Sequence, residues 1–317
     1  MWKLYGGRLR FLSEYRKSNK IIPPIMNRQE ALRAMAVGAI STVTLSNVSC
    51  AKANSSSSAE ISTDLKGNIN HSVSQWCYGK MPIEDLIQAC KVIGIKSIEL
   101  LHPDKWKTVV ESGLTCAMAY ANGVWLEHGF NDPKNHEQFL KDYSAAIPVL
   151  ADAGLKNVIC FSGNRRGLTD EQGWENCARG LEPILKIAQQ HNVTVQMELL
   201  NSKVDHKDYQ CDRTEWGVRL CEKLGSENFK LLYDIYHMQI MEGDVIATIK
   251  KYHQYIGHYH TAGVPGRNEI DDTQELYYPA IMRAIVETGF KGFVGQEFVP
   301  KREPLKSLEE SIRVCDV

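Results

Sequence analysis

From about Asn68 the chain alternates short apolar runs with longer amphipathic ones. The runs NINHSVSQWC, KSIELLH, GLTCAMAYA, KNVICFSG, VTVQMELL, FKLLYDIYHM, YIGHYHTAG and GFVGQEFVP supply eight predicted strands. Between them, segments such as MPIEDLIQACKVIG, NHEQFLKDYSAAIPVLADAG, GWENCARGLEPILKIAQQHN and DRTEWGVRLCEKLG carry apolar residues at helical spacing, and Gly or Asn commonly marks their ends. Strand cores that are apolar on both faces imply a parallel sheet covered by helices. Eight such units over roughly 250 residues predict an α/β fold, a closed (β/α)8 barrel, occupying residues 67–317. A doubly wound open sheet would need fewer strands, and no GxGxxG follows an early strand.

Residues 1–66 read as an N-terminal extension of different character. MWKLYGGRLRFLSEYRKSNK is basic, IIPP interrupts it, the apolar stretch AMAVGAISTVTL follows Arg33, and NSSSSAE forms a polar linker. From Met26, itself a candidate start, the order of basic region, apolar segment and linker is that of an export signal. The apolar stretch is too short, and too rich in Ala, Gly, Ser and Thr, for a membrane span. The expectation is an exported or periplasmic product, with a disordered cytoplasmic extension as the alternative and any membrane association confined to this segment. Met26-Asn27-Arg28-Gln29-Glu30 is loosely similar to a twin-arginine signal but lacks the second arginine. Cys50 lacks the aliphatic residue three positions earlier that a lipoprotein cleavage site carries.

A net charge of −1 removes any general electrostatic reason to bind nucleic acid and leaves a small molecule as the expected partner. Nine irregularly spaced cysteines without a CxxC pair read as buried free thiols in a chain too large to need disulfides. The sequence leaves a homo-oligomer open.

Four polar groups stand inside apolar, strand-like runs of the C-terminal half: Glu198, Asp234, His260 and Glu297. Their spacings of 36, 26 and 37 residues suit successive strand–helix units, and in a barrel the C-terminal strand ends share one mouth. Carboxylates gathered there repel and resist desolvation unless a positive charge joins them, so a divalent cation is the simplest partner. Oxygen-rich ligation favours Mg²⁺ or Mn²⁺, and the lack of cysteine argues against a structural zinc site. His237, three residues past Asp234, and Arg267, in the loop GVPGRNE, are candidates for holding substrate oxygens. His258 and His260 are expected to face opposite sides of their strand, with only His260 in the cavity. Asn201 and Glu269 are weaker candidates, the first as a turn former and the second as a countercharge to Arg267. Trp76, Tyr78 and Trp125 are candidates for walling the cavity.

With these residues the chain resembles the sugar-isomerase-like, xylose isomerase-like TIM barrels, and more specifically the hydroxypyruvate isomerase family. The resemblance covers about Asn68 to Val317, strongest in YDIYHMQIMEGD and supported by MELLNS, GHYHTAGVPGRNE and GFVGQEF. It implies that Glu198 and Glu297 are paired catalytic, metal-binding glutamates, that Asp234 and His260 complete the metal set, and that His237 and Arg267 contact substrate. It also implies interconversion of hydroxypyruvate and 2-hydroxy-3-oxopropanoate (tartronate semialdehyde) by metal-assisted proton transfer through an enediolate. The alternatives are a ketose 3-epimerase or other sugar isomerase, and a non-enzymatic carbohydrate-binding protein. Two departures stand out: His260 occupies a position where the family often has glutamine, which is nearer the epimerase pattern, and Leu199-Leu200 replaces the usual Pro-Ile. The barrel is also similar to that of apurinic endonucleases, whose chemistry calls for more histidines and a basic groove.

Overall fold

The computed structural model describes residues 65–123 and 126–317. The export-like segment, Cys50 and Trp125 lie outside the described residues. Seven parallel strands form: β1 (Asn70–Ser74), β2 (Ser97–Glu99), β3 (Asn157–Cys160), β4 (Thr194–Glu198), β5 (Phe229–Asp234), β6 (Ile256–Thr261) and β7 (Phe293–Gln296). They pair in the order β2-β1-β7-β6-β5-β4-β3, one curled sheet in a TIM-barrel-like α/β arrangement. Its helices are α1 (Ile83–Ile93), α2 (Pro103–Glu111), α3 (His136–Asp152), α4 (Asp170–His191), α5 (Thr214–Leu224), α6 (Ile235–Met241), α7 (Val245–Tyr252), α8 (Tyr278–Glu287) and α9 (Pro304–Cys315).

The elements follow from local chemistry. Helix α4 starts where Thr169 and Gln172 cap each other's backbone N–H groups, and it stops where Asn192 takes a left-handed conformation at φ 53°. Along the strands, fully buried Val73, Ile98, Val195, Leu231, Tyr259 and Val294 alternate with polar residues of the opposite face, among them Ser72, Ser97, Gln196 and His258. The sheet is therefore apolar toward its helices and polar toward its own axis. The eight cysteines among the described residues are free, and seven are buried. No described helix is long and apolar enough to cross a membrane.

The expected closed eight-stranded barrel is not what forms. GLTCAMAYA, between β2 and β3, makes isolated bridges to both edges of the seven-stranded sheet instead of a strand. Tyr120 N bonds Leu101 O on one side, and Ala119 exchanges backbone bonds with Asn157 and Ile159 on the other. At Ala117 the ladder gives way to side chains: Ser97 Oγ accepts from Ala117 N at 2.8 Å, and Asn157 Nδ2 donates to Ala117 O at 2.9 Å. Polar side chains satisfy the backbone where strand pairing lapses.

His71, in β1, is buried with both ring nitrogens unpartnered, and the Asp316 carboxylate is 3.9 Å away. Burial pushes its pKa from 6.5 down to about 4, against the upward pull of Asp316. The unfolded chain then takes up the proton first, so this contribution to stability is intact above pH 6.5 and is lost as pH falls toward 4. The full loss is about 3 kcal/mol. Urea melts at pH 7 and pH 4.5 should show a smaller acid loss for His71→Phe than for the unaltered chain; equal losses would refute the assignment.

Candidate active site

Four strand ends bring the predicted acidic and imidazole groups together. Glu198 closes β4, Asp234 closes β5, His260 lies one residue before the end of β6, and Glu297 directly follows β7. The strand register sets Asp234 opposite His260, and His260 opposite Gly295. One ligand-type atom from each of the four lies within 4.8 Å of the others, and all four residues are buried. Asp234 also caps α6, its Oδ1 accepting from His237 N at 3.1 Å, so its charge sits at a helix N-terminus.

Glu297 gathers most of the positive charge and donors. Arg267 Nη2 lies 2.8 Å from its Oε2, His260 Nδ1 lies 2.8 Å from the same oxygen, and Trp76 Nε1 donates to Oε1 at 2.6 Å. Arg267 also reaches Asp234 at 3.3 Å. It stands over the rings of Trp76 and Tyr236, and its backbone is held at φ 57°, a conformation that non-glycine residues rarely adopt. Burial works against the Glu297 carboxylate, yet His260 and Arg267 outweigh it and hold the group well below the usual carboxylate range. Glu198 goes the other way: burial raises it, and its hydrogen bond with His260, at 3.4 Å, only partly offsets the shift. Burial likewise pushes Asp234 up to about 7 against the pull of Arg267.

His237 is fully buried beneath these groups. Asn201 Oδ1 accepts from Val204 N and Asp205 N, which fixes the amide so that its Nδ2 faces His237 Nδ1 at 2.6 Å. An amide nitrogen only donates, so His237 Nδ1 accepts and the ring proton sits on Nε2. That Nε2–H has no hydrogen-bond partner. Burial, reinforced by Arg267, holds the ring's pKa well below 6.5, and the ring is a neutral donor.

A cavity of about 270 Å³ opens beside Glu198, Glu297 and Arg267, walled by Trp76, Tyr120, Leu126, Phe161, Leu200 and His206. Tyr120, Phe161 and His206 are not among the residues expected from sequence. Tyr120 and Phe161 lie in the runs GLTCAMAYA and KNVICFSG and carry the signal of strand-end aromatics, whereas His206 sits in a polar loop with no signal. Three expectations are corrected. Glu269 does not face Arg267; it accepts from Lys301 N, Arg302 N and Ser307 Oγ and anchors the loop after β7. Tyr78 is buried outside this cavity, on a neighbouring groove. His258 does not turn away from His260: two residues apart on a strand, they share a face, and both bond one oxygen of Glu99, His258 Nε2 at 3.1 Å and His260 Nε2 at 2.7 Å.

Three carboxylates and one imidazole bring one oxygen each and a ring nitrogen within 4.8 Å of one another, a donor set that suits a divalent cation.

The sequence matches the family described as "Xylose isomerase-like TIM barrel" over residues 87–316. It is 29% identical over 170 residues to the hydroxypyruvate isomerase of Escherichia coli, covering 53% of this chain and 65% of that one. It is 38% identical over 109 residues to a 2-oxo-tetronate isomerase of Cupriavidus necator, covering 34% of this chain and 41% of that one. In both cases the match spans less than two thirds of the relative's own length. Among solved structures, a family 2 AP endonuclease from Brucella melitensis superimposes with a TM-score of 0.69 at 22% identity, covering 76% of this chain and 97% of that one, a likeness of fold. The match over residues 87–316 and the strand-end site together establish that the chain belongs to the xylose isomerase-like TIM barrel family, related to hydroxypyruvate and 2-oxo-tetronate isomerases at modest, partial identity.

Proposed function

We propose that this chain is a divalent-cation-dependent isomerase that interconverts hydroxypyruvate and 2-hydroxy-3-oxopropanoate through an enediolate. The observation that carries the reading is the pair Glu198 and Glu297, both lining one cavity and pushed in opposite directions by their surroundings. Environments that separate two carboxyl pKa values supply an acid and a base from the same residue type. Glu198, Asp234, His260 and Glu297 would hold the cation, Mg²⁺ or Mn²⁺. When bound, it polarises the substrate's carbonyl and hydroxyl oxygens and lowers the cost of the enediolate.

The chain's own residues account for the proton movements. Glu297, held ionised, takes a proton from C3 of hydroxypyruvate, and Glu198, held toward its protonated form, delivers one to C2; the C3 hydroxyl proton passes to the C2 oxygen. The reverse reaction exchanges the roles of the two glutamates. The Nε2–H of His237, buried 3.7 Å from Asp234 Oδ2 and outside the cavity lining, is assigned to a substrate oxygen on the strength of the family resemblance. Arg267, whose Nε–H is unpartnered, takes the substrate carboxylate. A cavity of about 270 Å³ is at the small end for ligand sites and favours a three- or four-carbon acid. The second reading, a ketose 3-epimerase, is favoured by His260 in the cation set and calls for a longer, neutral substrate.

With Mn²⁺ or Mg²⁺ supplied, NMR in deuterated water should show solvent deuterium entering C3 of hydroxypyruvate and the aldehyde product appearing. Glu198→Gln and Glu297→Gln should each lower that exchange by about 10²–10⁴-fold, and chelation should abolish it until cation is returned. Metal-replete protein that exchanges no carbon-bound proton of hydroxypyruvate or of free ketoses would leave only a binding role.

Arg267→Ala separates the two substrate readings. It should raise KM for hydroxypyruvate about 10–100-fold, the value of a charge-assisted contact, with a much smaller effect on a neutral ketose. Unchanged hydroxypyruvate turnover in the variant would remove the anchoring role.

A further inference from the structure

Beneath the four-residue site lies a second polar group that the isomerisation chemistry does not use. Glu99, at the end of β2, reaches across the axis of the sheet to His258 and His260 of β6, and all three are fully buried. One oxygen, Oε1, takes both imidazoles, at 2.7 Å from His260 Nε2 and 3.1 Å from His258 Nε2, while Oε2 has no partner. The two rings meet edge to face at 89°, with centroids 5.1 Å apart.

Room for this arrangement comes from a missing side chain. Position 295 of β7 pairs with His260 and carries glycine; a Cβ there would come within 2.1 Å of Glu99 Oε1 and 3.0 Å of the His260 ring. Any larger residue would drive Glu99 off the imidazole. The backbone just after Glu99 is also constrained, with Leu100 at φ 56°.

We propose that Glu99 is a positioning residue for the cation site: it keeps a ring proton of His260 on Nε2, so that Nδ1, between Glu198 and Glu297, is the nitrogen that gives up its proton and presents a lone pair when the cation binds. The inference rests on the reading of Glu198, Asp234, His260 and Glu297 as a divalent-cation centre. A carboxylate can only accept, so the 2.7 Å contact keeps a proton on Nε2, whereas the Nδ1 proton, which faces Glu297 Oε2 at 2.8 Å, is the one a cation displaces. The same bond sets the ring's rotation and raises the donor strength of the opposite nitrogen, as carboxylates paired to ligating histidines do. His258, donating to the same oxygen, holds Glu99 against rotation. Gly295 supplies the space that lets the pair sit directly below the site.

The competing interpretation is a second cation held by Glu99, His258 and His260, whose ligand-type atoms also lie within 4.8 Å of one another. Both Nε2 protons would then have to be absent, which the proposal forbids.

Titration of the full chain with Mn²⁺, followed by electron paramagnetic resonance, separates these cases. The proposal expects one ion per chain, an affinity about 10–100-fold weaker in Glu99→Ala, and substantial rescue in Glu99→Gln, whose amide oxygen can still accept from His260. In the Zn²⁺-loaded unaltered protein, long-range ¹H–¹⁵N correlation should place the His260 ring proton on Nε2, and this measurement decides the matter even where Glu99→Ala does not fold. Two ions per chain, a proton on Nδ1, or folded Glu99→Ala with unweakened affinity would overturn the positioning role alone. No Mn²⁺ bound by the unaltered chain would instead overturn the cation reading on which it rests.

Discussion

Charge compensation along the axis of the sheet is the constraint on which the rest of the structure depends. Glu99, Glu198, Asp234 and Glu297 bring four carboxyl groups into buried positions, and Arg267 and His260 bridge them. Two cationic side chains cannot hold four anions in a medium that solvates ions poorly. The deficit falls on Glu198 and Asp234, which are pushed toward their protonated forms, whereas Glu297, against Arg267 and His260, and Glu99, against His258 and His260, are held ionised. Protons or a dication can balance such a site, and a dication lets the acids serve as ligands with fewer protons bound. An apolar replacement of the same volume would be cheaper for folding, so a site of this composition is explained by chemistry better than by stability.

Much of the site was legible because a polar residue inside an apolar strand run is costly unless something uses it. Glu198, Asp234, His260 and Glu297 each carry that signal, and parallel strands oblige their ends to meet. Glu99 carries the same signal in KSIELLH, but it stands in the N-terminal half, apart from the regular spacing that groups the other four. The error over His258 was one of geometry: spacing by two on a strand preserves the face, and Glu99 duly bonds both histidines. GLTCAMAYA has the composition of a strand, but its pairing is decided by Ser97 and Asn157, whose side chains take the bonds of Ala117 that a ladder would have used. Such competition between side chain and ladder is invisible in a hydrophobic pattern. His206 and Glu269 lie in loops, where no periodicity constrains side-chain direction, so a hydrophobic pattern assigns them no place.

The interior polarity and the irregular seam are connected. Ser97 accepts from the backbone of the bridging segment and from the Ser72 hydroxyl of β1, at 2.8 Å in each case. Two residues on, at the same face of β2, Glu99 begins the network that ends at His260. A sheet whose axis was filled by large branched residues, the usual solution, could hold neither the serines that fasten the seam nor the glycine at 295 that admits Glu99. Small and polar residues on this face therefore do two jobs: they fasten the bridging segment to the sheet edges where strand pairing lapses, and they leave volume for charged groups beneath the site.

This arrangement also divides the residues by role. The cation set and its support come from β2, β4, β5, β6 and the end of β7, where backbone pairing fixes direction. The groups assigned to the substrate or to the cavity wall come from segments beyond the strand ends: His237 from the first turn of α6, Arg267 and Trp76 from the stretches after β6 and β1, and His206 from the loop after β4. Strands hold the geometry that metal-assisted proton transfer needs, whereas loops can change length and side chains without disturbing it. The candidate ion-binding set thus comes from the strand ends and the groups that would meet a substrate from the loops. That is why the acidic set could be read from spacing alone while the choice between a keto acid and a longer sugar turns on Arg267, one loop residue held in a conformation that only the folded chain reveals.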